Sequence, residues 1–367
     1  MRRILTINAK SGMVVASDVY TEQGQLVIPE GTVLDNEIID RIKSYSVFDL
    51  FIREEKREIS YDIEDLDRMI FDDEGDSTGY YDRIRATEEF YRFEAQFVES
   101  VKSVEDSINK IVKMNNPVCV EELLSTVKKI TDQFKPDVTL FDMIHCIEDY
   151  DDSTYVHSLN VALICRVMGE WLKLSPEDID VLTVAGLLHD IGKVMVPQDI
   201  IKKPGKLTTT EYAMVQTHTI HGYNVLKEQP IDERIKYTAL MHHERCDGKG
   251  YPNKHKQDEI EFFARIVAIA DVYDAMTSNR VYRAAICPFK VISAFEESVD
   301  LYDPKCLFVF LEKIAHSYVN NEVVLNDSLE GTVVMINKYA LGKPGVLVGG
   351  AYIDLSRQNK LKITAIK

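Results

Sequence analysis

Leu188-His189-Asp190-Ile191-Gly192-Lys193 and His242-His243-Glu244-Arg245-Cys246-Asp247-Gly248-Lys249-Gly250-Tyr251-Pro252 are the two stretches that decide the reading of this 367-residue chain. In the first, an imidazole and a carboxylate stand side by side at a predicted helix end, and Gly192 lets the backbone turn sharply after them. In the second, two adjacent imidazoles precede a glycine-rich turn. Around these stand His157, the pair His218 and His221 spaced three apart on one helical face, and Asp271 in Ala268-Ile269-Ala270-Asp271. A single histidine is most often an ordinary structural residue. Here six of the nine histidines fall between positions 157 and 243 and interleave with aspartates on neighbouring predicted helices. Burying so many ionisable groups is costly unless metal ions hold them. Imidazole plus carboxylate without thiolate suits iron, manganese, cobalt or zinc. An adjacent His-Asp pair can give one ligand to each of two metals, or let the aspartate bridge both, with a bridging hydroxide aimed at phosphorus.

Outward from these motifs, residues 117–320 read almost entirely as helix. Ser175-Pro176-Glu177-Asp178 carries an N-cap serine, a proline at the first helical position and acids in the first turn. Thr208-x-x-Glu211 is a capping box, and Pro288 opens another helix. Residues 86–116 predict one long amphipathic helix, with Phe90, Phe93, Phe97, Val101, Val104, Ile108 and Ile111 in a single stripe. That stripe either packs on the next domain or pairs with its copy in a homodimer. Residues 61–85 hold eight acids between Asp62 and Asp76 against Arg68 alone, the composition of a solvated linker. Residues 1–60 read as a small α+β domain, with a helix over Asp35–Ser44 and a strand over Val47–Ile52. Residues 321–367 carry β-like runs separated by glycine, asparagine and proline, which predicts a small β module. The fold class is therefore mainly α, a helical catalytic bundle flanked by these two smaller pieces.

Composition narrows the partners. Hydrophobic content of 45% and charged content of 28% are ordinary for a globular protein. The net charge of −17 argues against DNA, whose binding leans on many lysines and arginines, but leaves room for a small phosphate ligand in a locally positive pocket. No apolar run approaches the roughly 20 residues that span a bilayer, and the basic N-terminus is too poor in apolar residues for a signal peptide. The six cysteines are scattered without a CxxC pair, which predicts reduced thiols and a cytoplasmic protein.

The chain resembles the HD phosphohydrolases through His189-Asp190 with its distant histidines and later aspartate. It is similar to their HD-GYP branch through His242-His243-Glu244-x-x-Asp247-Gly248-x-Gly250-Tyr251-Pro252. The likeness runs from about Ser153 through His157-Ser158, His218-x-x-His221-Gly222 and Asp271-x-x-Asp274-Ala275-Met276-Thr277 to Arg280-x-Tyr282-Arg283. The small N-terminal domain also resembles a unit that often precedes this domain in bacterial members. The resemblance implies an HD-type helical bundle and hydrolysis of cyclic di-GMP, a bacterial second messenger, to linear pGpG and in some members on to GMP. It implies His157, His189, Asp190, His218, His242, His243 and Asp271 as metal ligands, with Asp190 bridging. It further implies Lys193 beside the attacked phosphate, Tyr251 against a guanine or its phosphate, and Arg280 and Arg283 on the non-scissile phosphate. His221 is left as a supporting or substrate-contacting residue. Members with three metals carry a glutamate four residues before the first histidine; here Ser153 stands there, with Asp151 and Asp152 nearby, so two metals, iron or manganese, are expected. Two readings stand beside this one: a phosphodiesterase for another cyclic dinucleotide such as cyclic GMP-AMP, and a catalytically silent nucleotide sensor or scaffold.

Overall fold

A computed structural model describes residues 1–21, 24–45, 47–53, 78–134, 138–147, 153–203, 205–277, 286–358 and 360–367. The chain divides into two compact units, residues 78–285 and residues 1–77 together with 286–367.

The first unit is helical. Its main helices are Glu88–Met114, Val120–Thr131, Ser153–Trp171, Pro176–Leu188, His218–Leu226, Glu233–Met241 and Phe262–Thr277. Local chemistry sets their ends. The Ser175 side chain accepts from the Asp178 backbone N–H with Pro176 at the first helical position, and Thr208 and Glu211 close a reciprocal capping box. Thr87 caps the start of Glu88–Met114, and Asn115 ends it in the left-handed conformation. The stripe on that helix, from Phe90 to Ile111, is buried within the chain, with contacts to Val120–Thr131 and Ser153–Trp171. The stripe is therefore spent on intramolecular packing and is not a free face for pairing two copies. Burial of each such aromatic or aliphatic side chain contributes about 1.5–3 kcal/mol, which is why the helix is fixed despite its largely charged outer face. Ser153–Trp171, Pro176–Leu188, Glu233–Met241 and Phe262–Thr277 pack on one another. Leu159, Val161, Ala162, Val184, Leu187 and Val267 are fully buried there.

The second unit is mixed. Strand β1 (Arg2–Leu5) pairs antiparallel with β4 (Asp49–Ile52), and β2 (Val19–Tyr20) pairs with β3 (Leu26–Ile28). Asp35 caps the helix Asn36–Ser44. The C-terminal runs form β5 (Glu322–Leu325), β6 (Glu330–Asn337), β7 (Ala340–Val348), β8 (Ala351–Asp354) and β9 (Ile363–Ile366), in the order β8-β7-β6-β5-β9, with every neighbouring pair antiparallel.

Here the division expected from sequence gives way to another. The helices Pro288–Glu297 and Pro304–Ser317, assigned to a bundle reaching residue 320, belong instead with the terminal sheet and the N-terminal segment. The cause is the apolar face of Pro288–Glu297, which packs on β7 and also meets β1. The buried Glu296 carboxylate fastens the join by accepting from the backbone N–H groups of Leu341 (2.7 Å) and Gly342 (3.2 Å). The acidic stretch at 62–76 lies outside the described residues.

Candidate metal centre

Five helices and two turns deliver the seven expected ligands to one place. His157 lies on the second turn of Ser153–Trp171, and His189 ends Pro176–Leu188. Asp190 opens the tight helical turn Ile191–Met195, and His218 opens the helix His218–Leu226. His242 ends Glu233–Met241 with His243 next in chain, and Asp271 lies on Phe262–Thr277.

The donors fall into two groups, Asp190 with His218, His242 and His243, and His157 with His189 and Asp271, the atoms of each lying within 4.8 Å of one another. Asp190 serves both. Its Oδ1 is 3.3 Å from His218 Nε2 and 3.6 Å from His242 Nε2, while its Oδ2 is 3.3 Å from His189 Nε2 and 3.7 Å from His157 Nε2. The carboxylate thus stands between the groups with one oxygen toward each.

The imidazoles are oriented from behind. Nδ1 of His189 faces the Gly186 carbonyl (2.7 Å), that of His218 the Val215 carbonyl (2.7 Å), and that of His242 the Thr238 carbonyl (3.1 Å). His157 differs: its Nδ1 faces the Asp274 carboxylate at 2.7 Å. Carbonyls and carboxylates only accept, so each Nδ1 carries the proton and donates, which turns the Nε2 lone pairs of His189, His218 and His242 inward, while Nε2 of His157 lies 2.9 Å from Asp271 Oδ1. Carbonyls three or four positions back, near helix ends, do this work for three of the four rings.

This arrangement fits divalent metal ions. Nε2 of His218 and Nε2 of His242 approach to 3.2 Å although neither has a proton to offer the other. His189 Nε2 and Asp190 Oδ1 are buried without a hydrogen-bond partner among the described residues. Buried polar atoms are normally satisfied, and a cation between these lone pairs would satisfy them. The protonation states of three rings agree, whereas at His157 burial acts to lower the imidazole but Asp271 and Asp274 outweigh it and push it up to about 9. Burial pushes His218 down to about 3, and burial lowers His242 and, with the neighbouring His242, His243 as well. Neutral imidazole is the form that ligates. Burial acts to raise the Asp190 carboxyl, but Lys193 and His189 outweigh it and hold the group well below the usual range. Burial likewise opposes ionisation of Asp271, where His157 prevails and keeps the carboxylate charged.

Of the other expected residues, Lys193 donates to Asp190 Oδ2 one turn on. The Tyr251 ring stacks on His243, with centroids 4.7 Å apart and planes at 26°. His221 lies one turn beyond His218 on the same helix, half-buried, and joins neither ligand group among the described residues. Arg280, Arg283, Asp151 and Asp152 lie outside the described residues.

Three contributors went unassigned in the sequence. Asp274 is buried behind His157 and also accepts from Asn160 Nδ2 at 2.9 Å. Their signal was present as Asp271-x-x-Asp274 and His157-x-x-Asn160, each a spacing that puts two residues on one helical face. Glu244 is the third. It is buried, and its carboxylate accepts from the backbone N–H groups of Asn253 and His255.

The helical unit gathers these histidines and aspartates around the adjacent pair His189-Asp190. Residues 142–306 match the HD domain family model, and Gly250-Tyr251-Pro252 stand within the matched stretch. Over 199 residues, 54% of this chain and 48% of the relative, it is 35% identical to a cyclic di-GMP phosphodiesterase of Pseudomonas aeruginosa. Over 146 residues, 39% of this chain and 28% of the relative, it is 36% identical to a 3'3'-cGAMP-specific phosphodiesterase of Vibrio cholerae. Among solved structures, an HDG"Y"P protein from Bdellovibrio bacteriovorus shares the fold, with a TM-score of 0.50 over 84% of this chain and 97% of that one at 16% identity. The chain spans about half, or less, of the length of these curated relatives. No helix among the described residues is long and apolar enough to cross a membrane.

Proposed function

We propose that this chain is a metal-dependent phosphodiesterase that opens cyclic di-GMP to linear pGpG. The observation that carries the proposal is the Asp190 carboxylate, which presents one oxygen to each of two ligand groups while Lys193 donates to it from the rim. In this reading His157, His189 and Asp271 would hold one divalent ion and His218, His242 and His243 a second, with Asp190 available to either. Iron or manganese suits the donor set, and Ser153 at the position of the third-metal glutamate favours two ions. Bound there, the ions supply Lewis acidity at phosphorus and activate water as the nucleophile. In the hydrolysis the water oxygen bonds to phosphorus, the P–O3′ bond breaks, and the departing 3′ oxygen takes up a proton.

The residues around the ions have separable tasks. Lys193 lies within reach of the charge that develops on the phosphoryl and leaving oxygens. Tyr251, stacked on His243, offers an aromatic face to a guanine. Arg280 and Arg283 follow the Asp271 helix at a spacing of three, suited to a phosphate that the metals leave untouched. The six cysteines are all free, as suits a reducing cytoplasm.

The mixed ring cyclic GMP-AMP is the second substrate reading. Relatives named for either nucleotide are matched at 35% and 36% identity. Elemental analysis of the purified protein, with chromatography of products after incubation with cyclic di-GMP and with cyclic GMP-AMP, tests both. The expected result is about two metals per chain and conversion of cyclic di-GMP to pGpG. Faster turnover of cyclic GMP-AMP would replace the substrate, and absence of hydrolysis in metal-replete protein would leave a nucleotide sensor.

A further inference from the structure

The geometry points to Glu244 as the positioning residue that holds Tyr251 over His243, a role resting on the proposal that Tyr251 contacts the nucleotide. Helix Glu233–Met241 ends just before His242, and the chain then runs without regular structure to His255. Within that run it must double back, because Tyr251 returns to stack on His243, eight positions earlier.

The return is built from contacts that converge on Glu244. Oε1 accepts from the Asn253 N–H at 2.6 Å and Oε2 accepts from the His255 N–H at 2.9 Å. The residue is only 4% exposed, so this carboxylate is withdrawn from water and held by the two backbone donors just beyond Tyr251-Pro252. On the other side of the turn the Tyr251 N–H donates to the His243 carbonyl at 3.2 Å. Gly250 makes the approach sterically feasible, since a Cβ there would stand 2.5 Å from His243 O and 2.4 Å from Arg245 N. Arg245 and Asp247, bonded to each other, and the Lys249 N–H on Asp247 stiffen the outer half of the loop, and a backbone bridge pairs Asp247 with Lys256. The Glu244 side chain ties the start of the loop to its end. A buried carboxylate that accepts two backbone N–H groups is a rigid clamp, whereas an amide in its place can satisfy only one of them.

The consequence is a specific division of labour. Glu244 adjoins the ligand His243 in sequence, yet its contacts run to the tyrosine loop. Losing it should loosen the aromatic platform and leave the metals in place.

The test compares Glu244→Gln and Glu244→Ala with Tyr251→Ala and with the double variant Glu244→Gln/Tyr251→Ala. We expect metal content equal to wild type and faster hydrogen exchange at the Asn253 and His255 amides in both Glu244 variants. We expect KM for cyclic di-GMP to rise roughly tenfold, the scale of one charge-assisted hydrogen bond, with kcat changed far less. In the double variant Glu244→Gln should add little to the effect of Tyr251→Ala, because both act through one ring. Unchanged amide exchange overturns the brace, as does an unchanged KM in Glu244→Gln when Tyr251→Ala raises it. Additive effects in the double variant also overturn it. If Tyr251→Ala leaves KM at the wild-type value, the substrate role of Tyr251 fails, and amide exchange still decides whether Glu244 braces the loop. Glu244→Gln preserves side-chain volume and so keeps the test open should Glu244→Ala not fold.

Discussion

His157 donates its Nδ1 proton to the buried Asp274 carboxylate at 2.7 Å, and it is the one ring of the four oriented through Nδ1 that leans on a side chain instead of a main-chain carbonyl. Removing this partner frees the ring to rotate and to change tautomer. For Asp274→Ala we predict a 10–100-fold loss of metal affinity at the site shared by His157, His189 and Asp271, the range for lost partners of a ligating histidine. The other site should stay filled, so competition against a chelator should show one weakened ion per chain and one unchanged. Equal retention of both ions would remove Asp274 from the orienting role.

Gly192 is fixed by its neighbours more than by its own conformation. A Cβ on it would stand 2.0 Å from the His218 carbonyl oxygen and 2.4 Å from the Gly222 nitrogen, both backbone atoms that cannot step aside. Gly192→Ala must therefore push the turn Ile191–Met195 away from the helix His218–Leu226, carrying Asp190 away from His218. We predict a destabilisation of about 3 kcal/mol or more, at the upper end for overpacking, together with loss of bound metal. Denaturant unfolding and elemental analysis measure the two effects.

Lys193 and the two arginines should separate kinetically. The partner of Lys193 in the reaction is charge that develops at the transition state, so Lys193→Ala should lower kcat by roughly 10²–10³. Arg280→Ala and Arg283→Ala should instead raise KM more than they lower kcat, because a phosphate held equally in ground and transition states contributes uniform binding. Steady-state kinetics on the three variants decides it, and wild-type KM in both arginine variants removes the phosphate clamp.

Glu296 sets a pH dependence of stability distinct from the catalytic chemistry. Burial pushes its carboxyl up from 4.5 to about 7, even with the Leu341 and Gly342 N–H groups opposing. Between those two values the folded state holds a proton that the unfolded state has lost, so stability falls as pH rises through that window and levels off above it. At about 1.4 kcal/mol per pH unit, the loss is on the order of 3 kcal/mol. Thermal unfolding between pH 4.5 and 8 should show this decline in the wild type and a flatter profile in Glu296→Gln. A wild-type profile no steeper than that of the variant would contradict the assignment.

Much of this molecule is legible along the chain because it is written in local chemistry. Helix starts at Ser175-Pro176 and Thr208-x-x-Glu211, the buried stripe from Phe90 to Ile111 and the strand runs after residue 321 depend on neighbours three or four positions away, or on alternation by two. The seven candidate ligands could be named because the chain resembles the HD-GYP branch at His189-Asp190 and at His242 through Pro252. Other features required the folded chain. Which oxygen of Asp190 faces which histidines depends on five helices meeting at one point, and no spacing in the sequence encodes a distance between separate helices. Asp274 behind His157 spans 117 positions, and the Glu244 clamp exists only once the loop has turned back on itself. The unit boundary is the clearest case. Pro288–Glu297 has the pattern of any amphipathic helix, and that pattern says one face will be buried without saying against what. Its partner, β7, lies about 50 residues further on, and the buried carboxylate of Glu296 joins them through two backbone N–H groups that only tertiary packing brings within reach.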